Sequence, residues 1–156
     1  MRCHRSIALI VMVVFATALS AQKPPSFVGT WVLSTAKSKN LGMMAALKDT
    51  VTISQNAGEL TIHDKSSFQG QENAREIRYD LTGKTMPNDG PMGDRNETVA
   101  KWVGGKLVTT WTKEGAVAGT KSVMTETRSL SSDGKTMTLE SVRGENAPVV
   151  MVFEKQ

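Results

Sequence analysis

Thr98-Val-Ala-Lys-Trp-Val-Gly-Gly-Lys-Leu-Val-Thr-Thr-Trp111 decides the fold class. Read at period two around a Gly104-Gly105 turn, the stretch puts Thr98, Ala100, Trp102, Leu107, Thr109 and Trp111 on one face. The other face holds Val99, Lys101, Val103, Lys106 and Val108. The tryptophan face carries no charge, so it is expected inside, with the lysines in solvent. This is an antiparallel hairpin with one buried side.

The next hairpin downstream turns at Asp133-Gly134. Alternation sets Met124, Glu126, Arg128 and Leu130 on one side of its first strand, and Val123, Thr125, Thr127 and Ser129 on the other. An even number of turn residues adds Met137, Leu139, Ser141 and Arg143 to the first side, whereas a three-residue turn reverses the match. In the even register the apolar face also contains Glu126, Arg128 and Arg143. Charges on an interior face require pairing or a wet cavity, so this cluster is a candidate site.

Upstream the same rhythm recurs. Val51 and Ile53, then Leu60 and Ile62, then Ile77, Tyr79 and Leu81 alternate with polar residues, separated by Asn56-Ala-Gly58 and Thr82-Gly83. Pro87 to Asp94 reads as an irregular loop at one end of the sheet, and Val149 to Phe153 as a closing strand apolar on both sides. Residues 35–48 are the one stretch with helical character, a short helix or helical turn that Asn40 is placed to cap, or else a loop. Eight to ten sequential strands with at most one helix must close or fold over to bury their apolar side. The expectation is an all-β, antiparallel up-and-down barrel, closed or partly open.

The N-terminus reads differently. Arg2 and Arg5 precede an apolar run from Ile7 to Phe15 and then Ala-Thr-Ala, the order of an export signal. The expected organisation is a signal peptide over residues 1–21, a linker over 22–26 and one barrel domain over 27–156, secreted or periplasmic. The run is too short for a bilayer crossing of roughly 20 residues, and no later segment approaches that length. Cys3, the single cysteine, falls in the signal, so no disulfide is expected. Without Arg2 and Arg5, 17 basic residues face 15 acidic ones. No Lys/Arg cluster exceeds a pair, which removes nucleic acid from the expected partners.

Phe27-Val-Gly-Thr-Trp31 opens the first strand. Gly29-x-Trp31 at that place resembles the signature of lipocalins and fatty-acid-binding proteins in the calycin superfamily, and the chain is most similar in kind to small secreted lipocalin-like proteins of bacteria. The resemblance implies that Trp31 closes one end of the barrel, with an arginine, Arg143 or Arg128, packed over it. It also implies a cavity for a small apolar or amphipathic ligand.

Other chemistry finds little support. His63 lies on the polar side of its strand, and with no cysteine left no metal set is expected. Asn88, Asp89 and Asp94 fail the EF-hand spacing and read as turn formers. There is no Gly-x-Ser-x-Gly elbow, and Glu126 and Glu140 fall on opposite faces. Thr82-Gly-Lys-Thr85 lacks the upstream glycine of a phosphate loop, and no cofactor is expected. The expected function is therefore noncatalytic binding or carriage of a small apolar or amphipathic molecule outside the cytoplasm. Trp31, Phe68, Tyr79, Trp102, Trp111 and Met124 are the candidates for its apolar body, and Glu126, Arg128 and Arg143 for its polar end. The alternative is a solid-core envelope or secreted module that binds a protein partner.

Overall fold

In the computed structural model, which describes residues 24–156, the period-two segments form ten antiparallel strands. They are β1 (Gly29–Leu33), β2 (Lys48–Gln55), β3 (Glu59–Phe68), β4 (Gln71–Asp80), β5 (Met86–Asp89), β6 (Arg95–Val103), β7 (Lys106–Glu114), β8 (Lys121–Leu130), β9 (Thr136–Arg143) and β10 (Val149–Lys155). The sheet order is β4-β3-β2-β1-β10-β9-β8-β7-β6-β5. Each strand therefore pairs with its sequence neighbour except at β4 and β5, and β1 joins β10. The result is a nearly closed, up-and-down barrel with one seam. The export segment expected over residues 1–21 and the first two linker residues lie outside the described range.

Both hairpin readings hold. Trp102 stands opposite Leu107, Ala100 opposite Thr109 and Thr98 opposite Trp111. Gly104 and Gly105 turn at φ 54° and 77°, the positive values that a two-residue hairpin demands. In the next hairpin Leu130 pairs with Met137, Arg128 with Leu139, Glu126 with Ser141 and Met124 with Arg143, which is the even register.

Two local readings are sharpened or corrected. Residues 35–48 form only a 3-10 turn over Gly42–Ala46, and none of its residues is buried. Residues 34–39 instead stay alongside β10: Ser34 N–H donates to Val152 O at 2.8 Å, and Lys39 and Val150 exchange two backbone bonds. Asn40 does not cap a helix; it takes φ 58° and its amide donates to Pro148 O at 2.8 Å. Pro87 to Asp94 is not all loop either, because Met86–Asp89 pairs with β6. Proline is accommodated there because β5 is an edge strand.

The core fills the end of the barrel where the chain enters. Phe27, Trp31, Leu60, Tyr79, Leu107, Met137 and Phe153 are all at least 98% buried, and each such side chain contributes about 1.5–3 kcal/mol. The chain is led into this plug by Gln55, whose amide oxygen accepts from Phe27 N–H at 3.0 Å while its nitrogen donates to Pro25 O at 3.2 Å. Phe27 stacks on Trp102, with centroids 5.9 Å apart. Trp31 Nε1 donates to Phe27 O at 2.8 Å.

The cation over Trp31 is Lys155, with Nζ 5.2 Å from the ring centroid, so neither Arg128 nor Arg143 takes the role that the resemblance implied. Lys155 stands directly across β1 and β10 from Trp31, whereas Arg128 points into the middle of the barrel and Arg143 is exposed. Gly29 explains its half of the Gly-x-Trp pattern. It has φ 140°, and a Cβ there would stand 2.8 Å from Lys155 Cε.

Candidate functional site

Inward positions of β7, β8 and β4 bring a polar cluster into the barrel wall. The β7 and β8 register places Thr109 opposite Glu126 and Leu107 opposite Arg128, so the two charges are two residues apart on one face. Both are buried, Glu126 to 8% exposure and Arg128 to 5%. Arg128 Nη1 lies 3.0 Å from Glu126 Oε2. That same carboxylate oxygen accepts from Trp111 Nε1 at 3.1 Å and from Thr109 Oγ1 at 3.4 Å. Arg128 Nη1 also reaches Thr109 Oγ1 at 3.5 Å. The buried charges are thus paired and further hydrogen-bonded, the condition under which such a pair is tolerated in an apolar interior.

Tyr79 completes the cluster from β4. The Arg128 guanidinium carbon lies 5.5 Å from the Tyr79 ring centroid, and Trp111 meets the tyrosine edge-on at 6.1 Å. Burial pushes the phenol above its ordinary pKa, so it stands as a neutral O–H. Its oxygen is buried and makes no hydrogen bond of ordinary geometry, with the Thr109 and Arg128 side chains as its polar neighbours. The cluster therefore brings a guanidinium, a carboxylate and a loosely held phenol together. A guanidinium carries five N–H donors, and both of the contacts above use Nη1.

The other expected site residues are spread along the barrel. Met124 lies beside Trp111 across the ladder and is half-buried. Trp31 and Trp102 belong to the plugged end, and half-buried Phe68 sits at the far end of β3 opposite Gln71. Arg143 is on the right face but exposed, because its place is the last of β9, and its Nη2 meets Met124 Sδ at 3.8 Å. The interior cluster thus unites Tyr79, Trp111, Glu126 and Arg128. Sequence reasoning put Thr109 on the inner face without giving it a part in the site. It missed Asp49, Asp64 and Arg75, whose inward positions follow from counting two residues on from Val51, Ile62 and Ile77.

Two depressions mark the outer surface. One of about 290 Å³ follows the β4 and β5 seam, lined by Glu76, Arg78, Pro87, Asp89 and Arg95 among others. Another of about 520 Å³ lies at the plugged end beside Pro25, Gly104, Lys106 and Ser131. Neither includes a residue of the interior cluster. His63 is exposed on the outer face, with Nδ1 3.3 Å from Glu76. Among the described residues no helix is long and apolar enough to cross a membrane, and no three His, Cys, Asp or Glu side chains converge as a metal set.

No family model matches the chain, and no curated protein sequence matches it. Solved structures do. Human cRBP IV superposes with a TM-score of 0.64 at 21% identity, covering 85% of this chain and all of its own. A Schistosoma mansoni fatty-acid-binding protein in complex with arachidonic acid gives 0.66 at 18% identity, covering 83% of this chain and 96% of its own. A fatty-acid-binding protein from Drosophila melanogaster brain tissue gives 0.60 at 19%, covering 83% and 99%.

These findings correct the reading of the chain as a small secreted lipocalin-like protein of bacteria. The structures it resembles come from eukaryotes, and the secreted or periplasmic placement is withdrawn with that reading. Gly29-x-Trp31 and the hairpin rhythm specify a closed barrel end and a pleated wall and carry no mark of source, and the placement rested on the export-signal reading of residues 1–21, which lie outside the described residues. The two fatty-acid-binding proteins are named for binding and not for a reaction. The chain has a nearly closed, ten-stranded antiparallel barrel, and what it shares with these structures is that fold.

Proposed function

We propose that this barrel binds and carries a small apolar or amphipathic molecule without chemically changing it. The observation that carries this reading is the buried Glu126 and Arg128 pair with the Tyr79 hydroxyl beside it, which makes no hydrogen bond of ordinary geometry. A solid core gains nothing from a poorly satisfied phenol, which costs up to about 1–3 kcal/mol. A ligand's polar end that accepts from Tyr79 Oη and from the free donors of Arg128 recovers that cost. The aromatic faces of Trp111 and Tyr79, with Met124 next to them, take the apolar body. The likeness to fatty-acid-binding proteins supports the same reading.

The test is extraction of natively purified protein with organic solvent, followed by mass spectrometry and by titration with decanoate and decanol. A stoichiometric apolar compound, or saturable binding of either probe, is the expected result. A folded protein that carries none and binds neither probe overturns the reading and leaves a packed interaction module.

A further inference from the structure

The contacts inside the Arg128 cluster use one side of each charged group. Glu126 Oε2 faces Arg128 Nη1 and accepts from Trp111 Nε1 and Thr109 Oγ1. Among the described residues nothing donates to Glu126 Oε1, and Arg128 Nε and Nη2 find no acceptor. None of these three atoms belongs to the side-chain atoms that the barrel encloses without a partner. A polar atom that is neither bonded nor enclosed borders open space. One carboxylate oxygen and two guanidinium nitrogens therefore face that space from the same side of β8, two residues apart.

The charges of the cluster cancel. Glu126 brings one negative charge, Arg128 one positive charge and Tyr79 none. Toward the open end the other inward cations are matched as well, Arg75 by Asp64 at 2.7 Å and Lys113 by Asp94 at 2.7 Å. Asp49 shares a proton with Asp64 and leaves no cation over. Arg143 is on the same face but stands in solvent. A carboxylate brought to Arg128 therefore carries an unbalanced charge into a poorly solvated place and meets Glu126 as a like charge, which disfavours its ionised form. An uncharged polar end keeps the balance.

We infer that the Glu126 and Arg128 pair selects ligands whose polar end is uncharged and both donates and accepts hydrogen bonds, a primary carboxamide or a primary alcohol, over carboxylates. This rests on the reading of the interior as a binding cavity and names the class of ligand that the cavity takes. The ligand oxygen accepts from Arg128 Nη2 or Nε and from Tyr79 Oη, while its own N–H or O–H donates to Glu126 Oε1. Glu126 is thus the residue that sets specificity. It cancels the charge that would draw a carboxylate, and it presents an acceptor for which a carboxylate or an ester has no proton.

The experiment titrates the wild-type protein with decanamide, decanol, decanoate and methyl decanoate by calorimetry at neutral pH. Decanamide and decanol are each expected to bind about tenfold or more tightly than decanoate, and decanamide about tenfold more tightly than methyl decanoate, the worth of one hydrogen bond left unmade. Glu126→Gln is expected to shift the selectivity toward decanoate by about tenfold or more, because it frees the charge of Arg128. Decanoate bound as tightly as decanamide, or the methyl ester bound as tightly as the amide, overturns the inference and leaves the carriage reading intact. So does a selectivity that Glu126→Gln leaves unchanged. If that variant does not fold, the wild-type ranking of the four probes decides by itself. Failure of every probe to bind overturns both readings.

Discussion

The Asn88 side chain treats the backbone of Arg78 as a neighbouring strand would. Its Oδ1 accepts from Arg78 N–H at 2.9 Å and its Nδ2 donates to Arg78 O at 2.8 Å, so one amide makes both bonds of a ladder pair. It does so at the seam, where β4 and β5 share no backbone ladder. Nδ2 also donates to Thr98 Oγ1 at 2.7 Å, and that hydroxyl donates to Met86 O. Asn88→Ala strips partners from the Arg78 N–H and C=O and from the buried Thr98 hydroxyl, and is expected to cost about 1–3 kcal/mol. Asn88→Asp keeps the acceptor and loses both donations, so it falls between. Urea unfolding and hydrogen exchange at the Arg78 amide check this, and unchanged exchange in Asn88→Ala would count against the seam role.

The buried ion pair predicts a non-additive cycle. Glu126→Gln leaves Arg128 without its counter-charge and also weakens acceptance from Trp111, so it is expected to lower stability by about 3–5 kcal/mol. Joint replacement by Glu126→Leu and Arg128→Met is expected to recover at least half of that. Denaturation midpoints of the single and double variants decide it; strict additivity argues that the pair is not coupled.

Ligand recognition at the same pair separates charge from shape. Arg128→Leu is expected to weaken decanoate by about ten- to a hundredfold, the worth of a charge-assisted hydrogen bond, and decanol far less. Equal losses for the two probes would sink the headgroup role of Arg128.

At the plugged end, Lys155→Ala removes a cation over Trp31 and is expected to cost about 0.5–1 kcal/mol. Gly29→Ala is expected to cost more, about 1–3 kcal/mol, because it combines a positive φ with a Cβ pressed on Lys155. Thermal unfolding of both variants and of the double variant gives the split. A double variant as stable as Lys155→Ala would show that only the collision matters.

Asp49 sets a pH signature. Its carboxyl is raised in the folded protein to about 7 from 3.8. Between those values the folded state holds a proton that the unfolded chain has released, so stability falls as pH rises from about 4 to about 7 and then levels. The expected decline is on the order of 2 kcal/mol, below the full linkage value because the carboxyl is partly solvated. Asp49→Asn should flatten this slope, and urea titrations across pH 4 to 8 measure it. A slope unchanged by the substitution would assign it to another group.

The barrel was legible in the chain because period-two alternation, glycine turns and even turn lengths are local properties. Trp102 opposite Leu107 and Arg128 opposite Leu139 follow from counting residues across Gly104-Gly105 and around Asp133-Gly134. Counting also sent Glu126 and Arg128 inward. It did not show that Arg143, two pairs farther along, reaches solvent, because exposure at a strand end depends on where the neighbouring strands stop.

Partnership across the barrel was decided only by closure. Tyr79 meets Arg128, Lys155 covers Trp31, and Asn88 closes on Arg78 through contacts between segments far apart in sequence or across a seam, and no periodicity encodes these. The shortening of the helical stretch in residues 35–48 to a single 3-10 turn has the same origin. Its apolar residues suit one helical face weakly, but Gly42 interrupts it, and the unpaired backbone of β10 offers residues 34–39 hydrogen bonds that an isolated short helix does not match. The sequence by itself determined most of the strands, the hairpin turns and the inward face of the two central hairpins; the tertiary structure decided the edge strand β5 and which inward charges are paired, because pairing needs distances that only a closed barrel sets.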